Sequence, residues 1–164
     1  MKHFDYFAPT EIIFGAGRVT EAGALAARYG KKAMLVTVPE FPAVAELYAK
    51  VKKSLADAGV ACVHYDGVIP NPTTELVTRG AELAKAEGVD VVIGLGGGSS
   101  MDTAKAIAVE ATHPGTAWDY NCHTAGPTEQ TLPILAISTT AGTGSQTTPC
   151  AVITKTSAKD KSRS

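Results

Sequence analysis

Cysteine is scarce in this 164-residue chain: Cys62, Cys122 and Cys150 are odd in number and far apart. Neither a disulfide framework nor a paired-cysteine metal knuckle is indicated, and Cys62, set in an apolar run, is expected to be buried packing. Aromatic residues are also few, at 6% with Trp118 as the single tryptophan. They are not interleaved with basic residues, so the stacking platform of a nucleic-acid binder is missing. Neither sign of charge dominates: 15 Lys and Arg face 16 Asp and Glu, for a formal net charge of -1. A polyanionic partner is therefore not advertised. No apolar run approaches the roughly twenty residues of a membrane-spanning helix. The N-terminus, MKHFDYFAPTE, puts polar and acidic residues where a signal peptide would carry its apolar stretch. The expectation is a cytoplasmic protein with no membrane or nucleic-acid partner.

What is present is a hydrophobic fraction of 45% with 19% charged residues, the balance of a globular chain. At this length one domain buries roughly two thirds of the surface its unfolded form exposes. The pattern alternates. Residues 10–14 read as a short strand closed by Gly15 and Gly17, and a helical stripe (Val19, Ala22, Leu25, Ala26, Tyr29) runs to Gly30. A strand is expected over 33–38, then a helix through Val44, Leu47, Tyr48, Val51 and Leu55, a strand over 60–65 and a helix over 73–86. Residues 89–95 form a Val/Ile run with no polar alternation after Asp90, as in a strand covered on both faces. An Ala-rich helix follows over 99–110, then an irregular connection over 113–130, a strand over 132–137 and a weak apolar run at 151–154. Such alternation predicts an α/β fold, a mostly parallel sheet covered by helices on both faces, with ligands gathering beyond the carboxyl ends of the strands.

The strongest local signal is Gly94-Leu-Gly-Gly-Gly-Ser-Ser-Met-Asp102, between the Val/Ile strand and the Ala-rich helix. Three consecutive glycines cost folding entropy and need a reason, either positive φ or backbone brought close to a ligand. With no side chains in the way, their amides and the free amides of the helix start can surround a phosphate, aided by the helix dipole. The loop is not a Walker motif, since no Lys precedes the hydroxyls, and position 99 is Ser where GxGxxG would need Gly. Ser99 and Asp102 have capping-box spacing, and Asp102 is assigned either to capping or to accepting a hydroxyl from a ligand. Asp102 and Lys105 share a helix face, so they pair with each other or with groups across the loop. A second loop, Ser138-Thr-Thr-Ala-Gly-Thr-Gly-Ser-Gln-Thr-Thr148, is dense in hydroxyls and follows the next strand, where it would form a second wall of the same cleft.

Four stretches in order, Phe14-Gly-Ala-Gly17, Pro70-Asn-Pro-Thr73, Gly96 through Lys105, and Thr139-Thr-Ala-Gly-Thr-Gly-Ser145, resemble the iron-containing (group III) alcohol dehydrogenases. The wider group includes glycerol dehydrogenase and dehydroquinate synthase. The resemblance implies a Rossmann-like NAD(P)-binding domain over residues 1–154, with 1–17 an N-terminal strand region that pairs copies in a homo-oligomer, and a polar tail over 155–164. It implies that Gly96, Gly97, Gly98 and Ser99 hold the pyrophosphate with Asp102 nearby, and that Thr139, Thr140, Thr143 and Ser145 line the phosphate, ribose and nicotinamide side. Asn71 is placed near the adenosine half. Val38 ends the first long strand, where an Asp would favour NAD; no carboxylate stands there, which leaves NADP open. Ser138 and Gln146 depart from the family's usual Pro and Glu, and Gln146 loses the charge.

The resemblance further implies a separate helical half carrying a divalent metal, Fe2+ or Zn2+, and that half is absent from this chain. His3, His64, His113 and His123 show no HxxxH or HxH spacing, so no metal site is expected here, His123 beside Cys122 included. The expected parent is a dehydrogenase moving hydride between a small alcohol, aldehyde or polyol and the nicotinamide ring, with this chain inactive alone. Two alternatives stay open: a stand-alone nucleotide-binding or oligomerisation module, and a phosphate-dependent enzyme of another parallel-sheet class, such as a kinase.

Overall fold

The computed structural model describes residues 3, 9–121 and 126–156. Four strands form the sheet: β1 (Lys32–Val36), β2 (Ala61–Tyr65), β3 (Val91–Gly96) and β4 (Ile134–Ser138). Each of the three gaps between strands carries a helix, as a parallel crossover needs. Helix α1 (Ala22–Ala26), entered through a 3-10 turn at Arg18–Glu21, precedes β1. Helices α2 (Pro42–Asp57), α3 (Thr74–Glu87) and α4 (Gly98–Glu110) follow β1, β2 and β3. Pro42 opens α2, where its missing N–H costs nothing, and the Thr73 hydroxyl caps α3 by accepting the Leu76 amide.

All pairings are parallel and the order is β2-β1-β3-β4. The chain winds outward from β1 to β2, then crosses back to β3 on the other side. That reversal opens a crevice beyond the carboxyl ends of β1 and β3, the position where open α/β sheets take ligands. Side chains alternate across the sheet. Ala33, Leu35, Val91, Ile93 and Leu95 pack with Tyr48, Val51 and Leu55 of α2, and with α1. Met34, Val36 and Val92 pack on the other face with Val77 and Ala84 of α3 and with Ala104, Ile107 and Ala108 of α4. The expected fold class, a parallel sheet with helices on both faces, is what forms.

Several local expectations are corrected. Residues 10–14 are not a strand: they run as irregular chain, with Ile12 70% and Phe14 91% exposed. An apolar run becomes a strand only when another strand pairs with it, and none does here among the described residues. Phe4, Tyr6 and Phe7 lie outside the described residues. Cys62 is exposed rather than buried, because β2 is the edge strand and the opening of its run faces outward. The run at 151–154 contributes a single parallel bridge, Thr73 to Thr154, and no strand.

The connection after α4 holds a 3-10 turn at Ala117–Tyr120, closed by a capping box between Thr116 and Asp119. His113 is buried and fastens this connection: Nε2 accepts the Thr128 amide at 2.9 Å, which leaves Nδ1 to donate to the Val109 carbonyl at 2.9 Å. Cys122 and His123 lie outside the described residues. Of the tail, Lys155 lies over the Trp118 ring at 5.4 Å and the Thr156 hydroxyl donates to Glu75. Among the described residues no helix is long and apolar enough to cross a membrane.

Candidate functional site

The glycine run divides into two pairs with different causes. Gly94 sits where a Cβ would lie 2.9 Å from the Met101 Cα and 2.9 Å from the Ala104 Cβ, so the close approach of α4 to β3 demands its lack of a side chain. Gly96 has φ +142°, in the region that favours glycine, and a Cβ there would meet the Ser100 Oγ at 2.7 Å. The fold itself therefore accounts for these two. Gly97 and Gly98 are another matter. A Cβ on Gly97 would have only the Thr140 Cγ2 at 3.6 Å, and one on Gly98 only the Thr143 Oγ1 at 3.9 Å. Packing gives no reason for glycine at either position, since these are ordinary van der Waals distances and the space a Cβ would take is otherwise free.

That space faces the first turn of α4. The Ser100 and Met101 amides turn back on the Gly97 carbonyl, whereas the Gly98 and Ser99 amides, as the first of the helix, have no acceptor within it. Gly97 is the N-cap residue and supplies no side-chain cap. The capping box expected from Ser99 and Asp102 does not form, because the helix starts at Gly98 and Ser99 is already inside it. Ser100 is 1% exposed, and its Oγ is the one buried side-chain polar atom without a hydrogen-bond partner among the described residues.

A cleft of about 440 Å³ opens here, lined by Asn71, Pro72, Gly98, Ser99, Asp102, Thr143, Ser145, Thr148, Cys150 and Val152. Asn71 holds φ 54°, a left-handed conformation that Asn tolerates better than most residues. The two polar loops are joined beside it, since the Thr139 amide donates to the Gly96 carbonyl at 3.0 Å and Thr140 stands next to Gly97. Of the residues singled out from sequence, the cleft thus gathers Asn71, Gly98, Ser99, Asp102, Thr143 and Ser145, with Gly96, Gly97, Thr139 and Thr140 alongside. Val38 is outside it. Its carbonyl, just past the end of β1, accepts from the Tyr48 hydroxyl at 3.2 Å and the Thr37 hydroxyl at 2.7 Å. Thr37 also meets His64 Nε2 at 2.8 Å, and burial pushes the His64 pKa below its usual value, with Lys52 adding to the effect.

Asp102 is neither a cap nor a solvated surface group. It is buried at the back of the cleft, where Oδ1 accepts the Ser145 hydroxyl at 2.6 Å and Oδ2 the Val152 amide at 3.0 Å. Lys105 Nζ lies 3.7 Å from Asp102 Oδ1 and reaches across to the second loop, as its helix face suggested. Burial pushes the Lys105 pKa down from its ordinary value, with Asp102 opposing. Thr148 closes the hydroxyl-rich loop read from sequence, but Cys150 and Val152 were not singled out as site residues. The only signal for them was their place directly after the hydroxyl-rich loop. Among the described residues no three His, Cys, Asp or Glu side chains are grouped to hold a metal ion.

Comparison with known proteins gives a family match over most of the chain. Residues 9–164 match the family described as iron-containing alcohol dehydrogenase. A choline dehydrogenase of Bacillus subtilis is 46% identical over 158 residues, covering 94% of this chain and 39% of the relative. An NAD-dependent methanol dehydrogenase of Bacillus methanolicus is 36% identical over 157 residues, covering 96% of this chain and 41% of the relative. The crystal structure of an archaeal halo-thermophilic alcohol dehydrogenase from a Red Sea brine pool superposes with a TM-score of 0.88 at 42% identity, over 94% of this chain and 41% of that one. The chain therefore spans about two fifths of the length of these relatives.

Proposed function

The chain belongs to the iron-containing alcohol dehydrogenase family, and we propose accordingly that residues 1–154 form an NAD(P)-binding domain whose cleft at the start of α4 takes the dinucleotide diphosphate. One observation carries the reading: Gly97 and Gly98 lack side chains that the fold would have room for, at a helix N-terminus whose first amides are free. A cradle that a Cβ would fill suits a ligand that must approach the backbone. The Gly98 and Ser99 amides would bind the diphosphate oxygens, the Ser99 and Thr143 hydroxyls would add donors, and Asn71 would stand at the adenosine side. Thr139 and Thr140 would border the ribose and nicotinamide. When bound, the dinucleotide supplies the hydride acceptor or donor.

In the whole enzyme that hydride exchange is proposed to occur with a small alcohol, aldehyde or polyol. The described residues do not fit a metal, so the iron of the family's name has no part in the chemistry assigned to them, and its ligands are proposed to lie elsewhere in the enzyme. Calorimetric titration of the 164-residue chain with NAD, NADP, ADP-ribose and ATP tests the reading. Either dinucleotide and ADP-ribose should bind, and no alcohol-dependent reduction of nicotinamide should follow with added Fe2+ or Zn2+. A clear preference for ATP would instead favour a phosphate-dependent enzyme of another class.

Cofactor choice is proposed to turn on Val38. An Asp at the end of this strand would bind the ribose hydroxyls of NAD and repel a 2'-phosphate, and Val38 does neither. NADP should bind at least as tightly as NAD, and Val38→Asp should weaken NADP by about tenfold, or about 1.4 kcal/mol. Tighter binding of NAD by that same factor in the unaltered chain would defeat this proposal.

Copies of the chain are proposed to associate through the N-terminal region, where Ile12 and Phe14 stand in solvent. Sedimentation at micromolar concentration should give a mass above that of one chain, and Ile12→Ser with Phe14→Ser should lower it. A single-chain mass for the unaltered protein would count against association.

A further inference from the structure

We propose that Lys105 is a positioning residue, whose buried ammonium fixes the segment 145–152 as the far wall of the cleft without itself touching the ligand. The proposal rests on the reading of that cleft as a dinucleotide site. A lysine ammonium has three protons to donate, and Lys105 Nζ has three acceptors. These are the Ser145 carbonyl at 2.7 Å, the Ser145 Oγ at 2.8 Å and the Cys150 carbonyl at 2.7 Å. No proton is left over for a phosphate oxygen.

The same count holds for its neighbours. The Ser145 hydroxyl has a single proton, given to Asp102 Oδ1, while Asp102 Oδ2 takes the Val152 amide. Asp102 and Ser145, which the family resemblance puts beside the cofactor, are thus bonded to each other and to the wall, and Ser145 has no proton left to give a ligand. Three points on the segment, at 145, 150 and 152, are fastened to one face of α4. The next point, Thr154, is fastened on the other side, where its amide donates to the Pro72 carbonyl at 2.8 Å. The wall is thereby strung between α4 and the turn that carries Asn71.

The charges also balance. An ammonium beside a carboxylate adds no net charge to the cleft, so attraction for an anion is left to the α4 amides. Removing the pair should loosen the wall and leave the electrostatics of binding unchanged. A direct ammonium-to-phosphate contact would behave in the opposite way, because its loss would flatten the dependence of binding on salt.

The test compares the 164-residue chain with four variants: Lys105→Met, Ser145→Ala, these two combined, and the double variant Asp102→Asn with Lys105→Met, which leaves no lone buried charge. Without any ligand, amide hydrogen exchange at Val152 should quicken by about tenfold or more in each variant, while exchange in β1 and β3 stays as it was. Binding of ADP-ribose, titrated at low and high salt, should weaken by about tenfold in the double variant with the salt dependence unchanged. Adding Ser145→Ala to Lys105→Met should weaken it no further, since both act through one wall. Unchanged exchange at Val152, or a flattened salt dependence, would overturn the proposal. If the unaltered chain binds no ADP-ribose, the reading of the cleft falls, and hydrogen exchange still decides whether Lys105 holds the wall.

Discussion

Gly97→Asp is expected to weaken dinucleotide binding by at least about a hundredfold, or roughly 2.7 kcal/mol, while leaving the fold as stable as before. The two halves of this expectation have separate causes. On the folding side, Gly97 has φ -84° and ψ -170°, an extended conformation open to any residue. A Cβ would meet nothing closer than Thr140 Cγ2 at 3.6 Å. Gly97 is also the N-cap of α4, and Asp is among the best N-cap residues, so the substitution should even gain a few tenths of a kcal/mol. On the binding side, that gain is the damage. The new carboxylate would accept from the helix amides that the diphosphate needs, and its charge would face the phosphates. Calorimetry with ADP-ribose and a thermal unfolding curve on the same sample check both halves. A large fall in the unfolding midpoint would mean that Gly97 serves the fold after all.

Three residues earlier the opposite result is expected. Gly94→Val should cost about 3 kcal/mol or more of stability, because the branched side chain has nowhere to go. Its Cβ would sit 2.9 Å from the Met101 Cα and 3.2 Å from the Ser100 carbonyl oxygen, and backbone atoms cannot rotate aside. Helix α4 would have to lift from β3 and take Ala104 and Ile107, both fully buried, out of contact with the sheet. Urea unfolding should show the midpoint falling, with binding lost only to the extent that the chain unfolds. A loss below about 1 kcal/mol would show that α4 has slack against the sheet. The pair of variants thus separates a glycine kept for packing from one kept for a ligand.

The sequence exposed the parts of this architecture that are local. The Val/Ile run of β3 and the glycines after it could be read directly, because a strand covered on both faces has no polar alternation to obscure it. That Asp102 and Lys105 share a helix face, and so stand near each other, followed from helical spacing alone. What depends on distant partners was harder to see. Residues 10–14 have the composition of a strand, yet pairing is a property of two segments. Cys62 lies in an apolar run, but its burial depended on whether β2 was inner or edge, which the run does not encode. The box expected at Ser99 failed by two residues of helix start, since Gly98 rather than Ser100 begins α4. The helix face showed that Lys105 could reach across, but not that its partners would be Ser145 and Cys150, forty residues or more away.

The bond from the Thr139 amide to the Gly96 carbonyl continues the ladder in which Gly96 sits opposite Ser138. Both loops are therefore indexed to the same rung, and their relative height is set by counting residues along β3 and β4. Inserting or deleting one residue within 134–138 would shift that count and turn every following side chain to the opposite face. The exposed stretch 140–143 carries no such bookkeeping, and surface loops absorb added length at small entropic cost. Anyone recutting this cleft for a bulkier ligand has an editable stretch between Thr139 and Gly144, bounded on one side by a reading frame that tolerates no slip.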